Sequence, residues 1–377
     1  MDHYIYFFIY FYVVLFFVSF SDVGSLGGRT GVLKVGKIRF LFLIVFSFLM
    51  ILLAGFRPID FGADDDTYYE AYLSASEYID IYTLKYDYIV SYFNMEHGFV
   101  LYMYFLSLLD RSEFVLFFFT ALISISINSF LIVRFSPFIF VSLLVYFSNV
   151  YFQKDLNQIR FGLASAIAFF TAYLFMVKKY SFGFMLYFFG VLIHLGSAVS
   201  IISAIFSRVK LKPKLAIAVV FTCLFVGGNG WGMYFVSLIP SESFLGEKIS
   251  YYIGSGAYHY QISFFDPVNL KNIFLVLFFS YFYRYFDGRF NFFYFFFNLL
   301  VFYSSFRFLF SDFAIVAARI SALFSFVDFI LVPMMMCVFR PAFIGWLIVV
   351  LYCSLFFFMT LINPKWSDLS FSQLFGG

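Results

Sequence analysis

The sequence predicts an all-α, polytopic integral membrane protein of about 10–12 transmembrane helices. It reads as a single membrane domain over residues 1–377 with two longer extracytoplasmic loops, 56–98 and 228–271. Three observations predict this. Of 377 residues, 63% are apolar and 12% charged, where a soluble domain is about one-quarter charged. Apolar runs near the ~20 residues needed to cross a bilayer recur along the whole chain. Those runs are continuous and not alternating, which excludes a transmembrane barrel.

The elements follow in order. The apolar stretch from Tyr4 to Phe20 lacks a basic leader and a small-residue cleavage site, so it is a first helix and not a signal peptide. The Gly-rich loop 21–39 sets Arg29, Lys34, Lys37 and Arg39 against Asp22 and reads as cytoplasmic. A helix over 40–55 returns to the outer face. Segment 56–98 is acidic, with Asp60, Asp64, Asp65, Asp66, Glu70, Glu77, Asp80, Asp87 and Glu96 against Arg57 and Lys85. The helical spacing of Tyr69, Tyr72 and Leu73 makes it an ordered cap on the membrane. A short apolar run, 99–109, precedes helices over 114–133 and 137–152. The polar run Gln153–Arg160 leads into spans 161–177 and 182–206, joined by the turn Lys178-Lys179-Tyr180. The loop 207–214 holds Arg208, Lys210, Lys212 and Lys214, a cytoplasmic signal. A short span, 215–227, opens the second long loop, and spans over 272–286, 291–310, 313–338 and 342–362 complete the chain. No internal repeat is visible.

Two topologies fit these runs. Twelve simple crossings put both long loops outside and leave Arg160 on the cytoplasmic face. The other treats 99–109 and 215–227, both short for a span, as re-entrant or interfacial. Arg160 then faces outside and Lys178-Lys179 inside, but 207–214 is stranded outside. The charge rule favours the first.

Net charge is only +3 and scattered over loops, which gives no footing for nucleic acid. Cys223, Cys337 and Cys353 lie in apolar spans without a C-x-x-C pair, so neither a disulfide framework nor a metal site is supported. The run Asp64-Asp65-Asp66 offers oxygens to a divalent cation but lacks the wider ligand pattern. No phosphate-binding glycine loop or zinc-protease motif is present, so no cofactor is expected.

The chemistry-bearing residues are few. Ionisable groups inside a hydrocarbon layer are expensive and mark functional sites by default. Arg160, with Asp155, Asn157 and Gln158, sits at a helix start followed by the small residues Gly162, Ala164 and Ala166. Its guanidinium is either a planar clamp for a pyrophosphate or carboxylate, or an interfacial arginine reaching headgroups. His194, alone in an apolar span, is either a general base for a hydroxyl or a ring bonded to a neighbouring helix's carbonyl. Arg319, near Asp312 and Asp328, faces a cavity or forms an interhelical salt bridge. Arg57, Asp64, Tyr68 and Glu96 combine acidic acceptors with flat rings, as a carbohydrate surface needs; a solvated acidic loop is the alternative.

These residues fall in an order that resembles a known family. Gly55-Phe56-Arg57, then Gly62-Ala63-Asp64 with Tyr68, then Glu96-His97-Gly98-Phe99, resembles the start of EpsG-type, Wzy-like polysaccharide polymerases. The best match is Asn157-Gln158-Ile159-Arg160-x-Gly162-Leu163-Ala164, followed by a span, a Lys-Lys turn and a histidine in the next span. Ala318-Arg319-Ile320, before a Phe-rich helix ending at Pro333, resembles the family's late arginine. The likeness covers about 50–335. Members often carry Gln after the first arginine, where this chain has Phe161. They often have one Asp after the glycine, where this chain has three.

The resemblance implies an O-antigen or exopolysaccharide polymerase in the bacterial inner membrane. The donor would be a glycan on undecaprenyl pyrophosphate, and the acceptor a second lipid-linked repeat unit at the outer face of that membrane. Arg160, His194 and Arg319 are the expected catalytic residues. Arg57, Asp64, Tyr68, Glu96 and Gln158 are the expected substrate contacts, with no metal. Membrane lipid and a chain-length regulator are the expected partners. The rival reading is a flippase or transporter of lipid-linked oligosaccharide, which would favour charges lining a pore and symmetry between halves.

Overall fold

The structure is a computed structural model, and it describes residues 2–27, 36–79, 87–240, 246, 261–290 and 292–362. Among these residues every regular element is helical. Among the described residues five helices are long and apolar enough to cross a membrane: Tyr4–Gly24, Lys37–Gly55, Glu113–Phe135, Ile159–Met176 and Ala342–Leu361. Two bent helix pairs raise the number to seven, and four shorter apolar helices accompany them. The chain is thus an all-α multi-pass membrane protein. It divides into two compact units, Met1–Ser200 with Asp328–Gly377, and Ile201–Val327.

The first unit is built from α1 (Asp2–Ser19), α2 (Lys37–Gly55), α3 (Asp65–Tyr78), α4 (Asp87–Tyr92), α5 (His97–Ser107), α6 (Glu113–Phe135), α7 (Ile139–Val145), α8 (Phe152–Lys154), α9 (Ile159–Met176) and α10 (Tyr180–Ile193). Two later helices, Asp328–Met334 and Ala342–Ile362, complete it. Local chemistry sets the ends. Before α6, the Asp110 carboxylate accepts from the Arg111 N–H at 2.8 Å and the Ser112 hydroxyl at 2.6 Å. Glu113 in its first turn and Arg134 in its last then match the helix dipole. Lys178, with a left-handed φ of 62°, turns the chain between α9 and α10.

Close pairs fix the directions. Ser47 meets Ser129 at 2.7 Å, while Gly55 lies against Phe118, so α2 and α6 are antiparallel. Phe130 packs on Phe170 and Phe135 on Tyr173, so α6 and α9 are parallel. Gly183 abuts Phe175 and Gly190 abuts Ile167, so α10 returns antiparallel to α9. Trp346 bonds Ser19 and Tyr12 bonds Ser354, which sets the last helix antiparallel to α1. The unit therefore has a basic end, with Arg39, Arg134, Lys178 and Lys179, and an acidic end, where the α2–α6 connection carries α3 to α5.

The twelve-crossing topology does not hold in this unit. The excursion 56–112 leaves from Gly55 and re-enters at Phe114, and these two residues are in contact. The run 99–109 is α5, 11 residues long. At 1.5 Å per residue it reaches about 16 Å, half the hydrocarbon thickness. Arg160 consequently lies at the end opposite Lys178-Lys179. Charge counting favoured the other arrangement because it treated each apolar run as a full crossing. The expected span 182–206 is also divided: α10 stops at His194, and the chain doubles back so that the Tyr187 hydroxyl donates to the Ala198 carbonyl at 3.2 Å.

The second unit centres on the helix Phe293–Leu309, packed by Pro213–Gly228, Pro267–Tyr281 and Ala314–Leu323. Pro213–Gly228 and Trp231–Ser237 meet at a 79° bend. Gly227 has no Cβ to collide with the Phe308 carbonyl, and the Asp312 carboxylate accepts the Met233 N–H at 2.7 Å. Asn298 holds the basic loop by donating to Val209 O at 2.6 Å and accepting from Leu211 N–H at 3.2 Å. Of the expected loop 228–271, residues 241–245 and 247–260 lie outside the described residues.

Candidate functional site

The polar motifs of the first unit converge just inside its acidic end. The convergence starts from Glu96, at the start of α5. Its Oε2 accepts from Arg160 Nη1 at 2.7 Å, and its Oε1 accepts from the Leu195 backbone N–H at 3.1 Å. Arg160 Nη1 also donates to the Asn94 carbonyl at 3.1 Å. One carboxylate thus ties the turn before α5, the first turn of α9 and the reversal after α10. Arg160 Nε is buried and meets no acceptor among the described residues. The Nε edge of a guanidinium is one that binds an oxyanion in bidentate fashion.

Glycines allow this convergence. A Cβ on Gly98 would sit 2.6 Å from the Leu192 carbonyl, so α5 and α10 meet backbone to backbone. A Cβ on Gly162 would sit 2.8 Å from the Lys154 carbonyl. A Cβ on Gly62 would sit 2.6 Å from the Leu156 carbonyl. Three motif glycines are therefore contact points of the elements that carry Glu96, Arg160 and Asp65.

His194 terminates α10 in an extended conformation, φ −154° and ψ 120°, and is buried. Its ring packs edge-on against Phe161 at 5.3 Å. The Gly196 N–H donates to Nδ1 at 2.9 Å. With Nδ1 accepting, the neutral ring carries its proton on Nε2. The ring is then a hydrogen-bond donor at Nε2, the role it would have towards a neighbouring carbonyl; the general-base alternative would need that nitrogen unprotonated.

Arg57 and Asp65 form a separate pair, both side chains fully buried. Arg57 Nη2 donates to Asp65 Oδ1 at 2.8 Å and Nε to Oδ2 at 3.1 Å, while Nη1 donates to the Ala54 carbonyl at 2.8 Å. The guanidinium lies 3.7 Å from the Phe117 ring centroid. Burial pushes the Asp65 carboxyl above the usual range, against the pull of Arg57 and the Gly62 N–H. Of the three consecutive aspartates, Asp65 is the one turned inward; Asp64 and Asp66 are exposed, so the three do not converge on one ion. Tyr68 is buried against Phe99 at 5.9 Å. Gln158 precedes α9, half-buried, and its carbonyl accepts the Gly162 N–H at 2.8 Å.

Sequence reasoning set Asp155 beside Arg160 but missed the residues that hold it. Tyr146–Tyr151 is a π-helical turn, a widening that recurs at functional sites. It lets the Tyr146 hydroxyl donate to Asp155 Oδ2 at 2.6 Å and the Tyr151 hydroxyl donate to the Met50 carbonyl at 2.6 Å. Ser124 donates to the other oxygen of Asp155. Lys154, also buried, donates to Ser165 Oγ at 2.5 Å. Ser124 lies three turns into α6, so this network is recessed below the acidic end. The sequence signal was the density of Tyr, Ser and Asn around 146–155 within an apolar run.

Arg319 belongs to the second unit, half-buried on the helix Ala314–Leu323. Asp312, in the same unit, accepts the Met233 N–H at 2.7 Å, and Asp328, in the first unit, accepts from Asn149 at 3.4 Å. Arg307, which sequence reasoning missed, is buried in this unit. It donates to Asp266 at 2.9 Å and to Asn269 Oδ1 at 2.8 Å.

A helical membrane bundle with an arginine clamped at a recessed, glycine-packed junction defines a class, and the comparison with protein families assigns it. The EpsG family profile matches residues 40–371, and the chain belongs to the EpsG family, the polysaccharide polymerases its motifs resemble. Among characterised proteins it is similar to the amylovoran biosynthesis protein AmsC of Erwinia amylovora, 27% identical over 287 residues, 75% of each chain. No solved structure matches it.

Proposed function

We propose that the chain is a polymerase that moves a glycan from undecaprenyl pyrophosphate to the terminal sugar of a second lipid-linked repeat unit. The observation that carries this reading is Arg160, fixed by Glu96 and Asn94 on one nitrogen, with Nε buried and lacking an acceptor among the described residues. A preorganised guanidinium stabilises charge as it develops, without reorganisation at the moment of reaction.

In the reaction, the bond between the anomeric carbon and the pyrophosphate oxygen breaks. The acceptor hydroxyl oxygen bonds to that carbon and releases one proton, and the diphosphate leaves with the electron pair. Arg160 receives the diphosphate, with His194 Nε2–H as a second donor. Proton acceptance then falls to an exposed carboxylate of the acidic end. Arg57, whose donors are engaged by Asp65 and Ala54, positions α3 and does not touch substrate.

The same reading sets the acidic end away from the cytoplasm, in the bacterial inner membrane. Arg39, Arg134, Lys178 and Lys179 at the other end agree with the positive-inside rule. Purified protein in lipid, given diphosphate-linked oligosaccharide, should lengthen the glycan, and Arg160→Ala should stop it; no lengthening by the wild type sinks the reading. A deletion strain separates the flippase alternative. Loss of a polymerase leaves single repeat units on the outer face, and loss of a flippase traps them inside.

A further inference from the structure

We propose that the cleft between α3 and α4 is a subsite for the uncharged sugars of the glycan, an assignment that rests on the polymerase reading above. The cleft measures about 710 Å³, within the ~300–1,000 Å³ of ligand pockets. One wall is Glu70, Leu73 and Ser74, which share a face of α3 at i, i+3 and i+4. The other is Tyr88, Tyr92 and Phe93. The Tyr88 and Tyr92 rings stack at 5.7 Å and 22°, and Phe93 meets Tyr92 edge-on at 4.9 Å. Both tyrosines are about two-thirds exposed, at 66% and 68%.

Three features select a carbohydrate. Tyrosine supplies large, rigid, amphipathic contact at low entropic cost, and an exposed ring face suits the C–H face of a pyranose. Glu70 and Ser74 stand opposite, where hydroxyls need acceptors and a donor. Among the described lining residues Glu70 is the one charged group, an acceptor for sugar hydroxyls. The cleft also adjoins the clamp. Phe93 precedes Asn94, whose left-handed φ of 49° turns the chain so that its carbonyl meets Arg160. From Phe93 to Glu96 the chain reaches at most about 11 Å. A glycan whose diphosphate sits on Arg160 therefore reaches the ring wall with its first few sugars.

The test uses full-length protein in lipid nanodiscs and, as probe, repeat-unit oligosaccharide released by mild acid from the producing strain's own polymer. Binding to the wild type should be saturable. The double variant Tyr88→Ala/Tyr92→Ala should bind at least tenfold more weakly, with Tyr92→Phe near wild type, and cells carrying the double variant should make shortened polymer. Unchanged binding and polymer length in the double variant overturns the subsite, as does a wild type that takes up no oligosaccharide, or a double variant that changes only retention in lipid vesicles. If Arg160→Ala makes normal polymer while the tyrosine variants lose binding, the polymerase mechanism falls and the subsite stands.

Discussion

Glu96 holds Arg160 with one carboxylate oxygen, at 2.7 Å, and the Leu195 N–H beside His194 with the other, at 3.1 Å. The carboxylate joins the two residues read as the diphosphate's receptors. Glu96→Gln keeps an acceptor for Leu195 but removes the charge that orients the guanidinium. Polymer chains in this variant should shorten sharply, with the protein's level in the membrane near normal, as gel electrophoresis of polysaccharide beside an immunoblot would show. Normal chain length would remove Glu96 from the clamp.

Arg160→Lys should fail nearly as completely as Arg160→Ala. Lysine keeps a positive charge but loses the planar fork that bonds Glu96, Asn94 and an oxyanion at once. Rates of glycan extension by purified variants decide this, and restoration by lysine would mean that charge alone matters.

Arg57→Ala should act through stability. Removing one partner of a buried pair leaves the other uncompensated, at a cost of about 3–5 kcal/mol. Arg57→Ala and Asp65→Ala should each deplete the protein from membranes. Arg57→Met combined with Asp65→Leu should recover much of the level, because packed apolar groups replace the pair. Full abundance of Arg57→Ala, with polymer lost, would instead place Arg57 on substrate.

Gly98→Ala inserts a Cβ 2.6 Å from the Leu192 carbonyl, and backbone cannot yield as a side chain does. Overpacking of this kind costs about 1–3 kcal/mol. The expected result is α5 displaced from α10, Glu96 drawn away from Leu195, and chain length reduced more than protein level. Polymer and protein falling in step would make the contact purely structural.

Single cysteines at Gln158 and Lys178 should label oppositely in intact cells. A membrane-impermeant maleimide should reach Gln158→Cys from outside, and Lys178→Cys only after permeabilisation. The reverse pattern would invert the orientation and defeat a mechanism at the outer face.

The sequence by itself determined the class of protein, because an apolar run long enough to cross a membrane is a local property. It also marked Arg160, Glu96 and His194, since charge and imidazole within greasy sequence carry a cost that is visible without coordinates. It could not decide which runs cross. The 11 residues of α5 are apolar either way, and only their packing between Tyr68 and Thr120 keeps them at one end. Nor could it choose among Asp64, Asp65 and Asp66, which are chemically identical; the direction of the first turn of α3 sends Asp65 alone to Arg57. The glycines read as permissive spacing and turned out to be contacts between distant backbones. Pairings across 64 and 99 residues, Arg160 and Leu195 with Glu96, arise from tertiary structure because nothing local distinguishes the partner of a buried charge until the chain has folded around it.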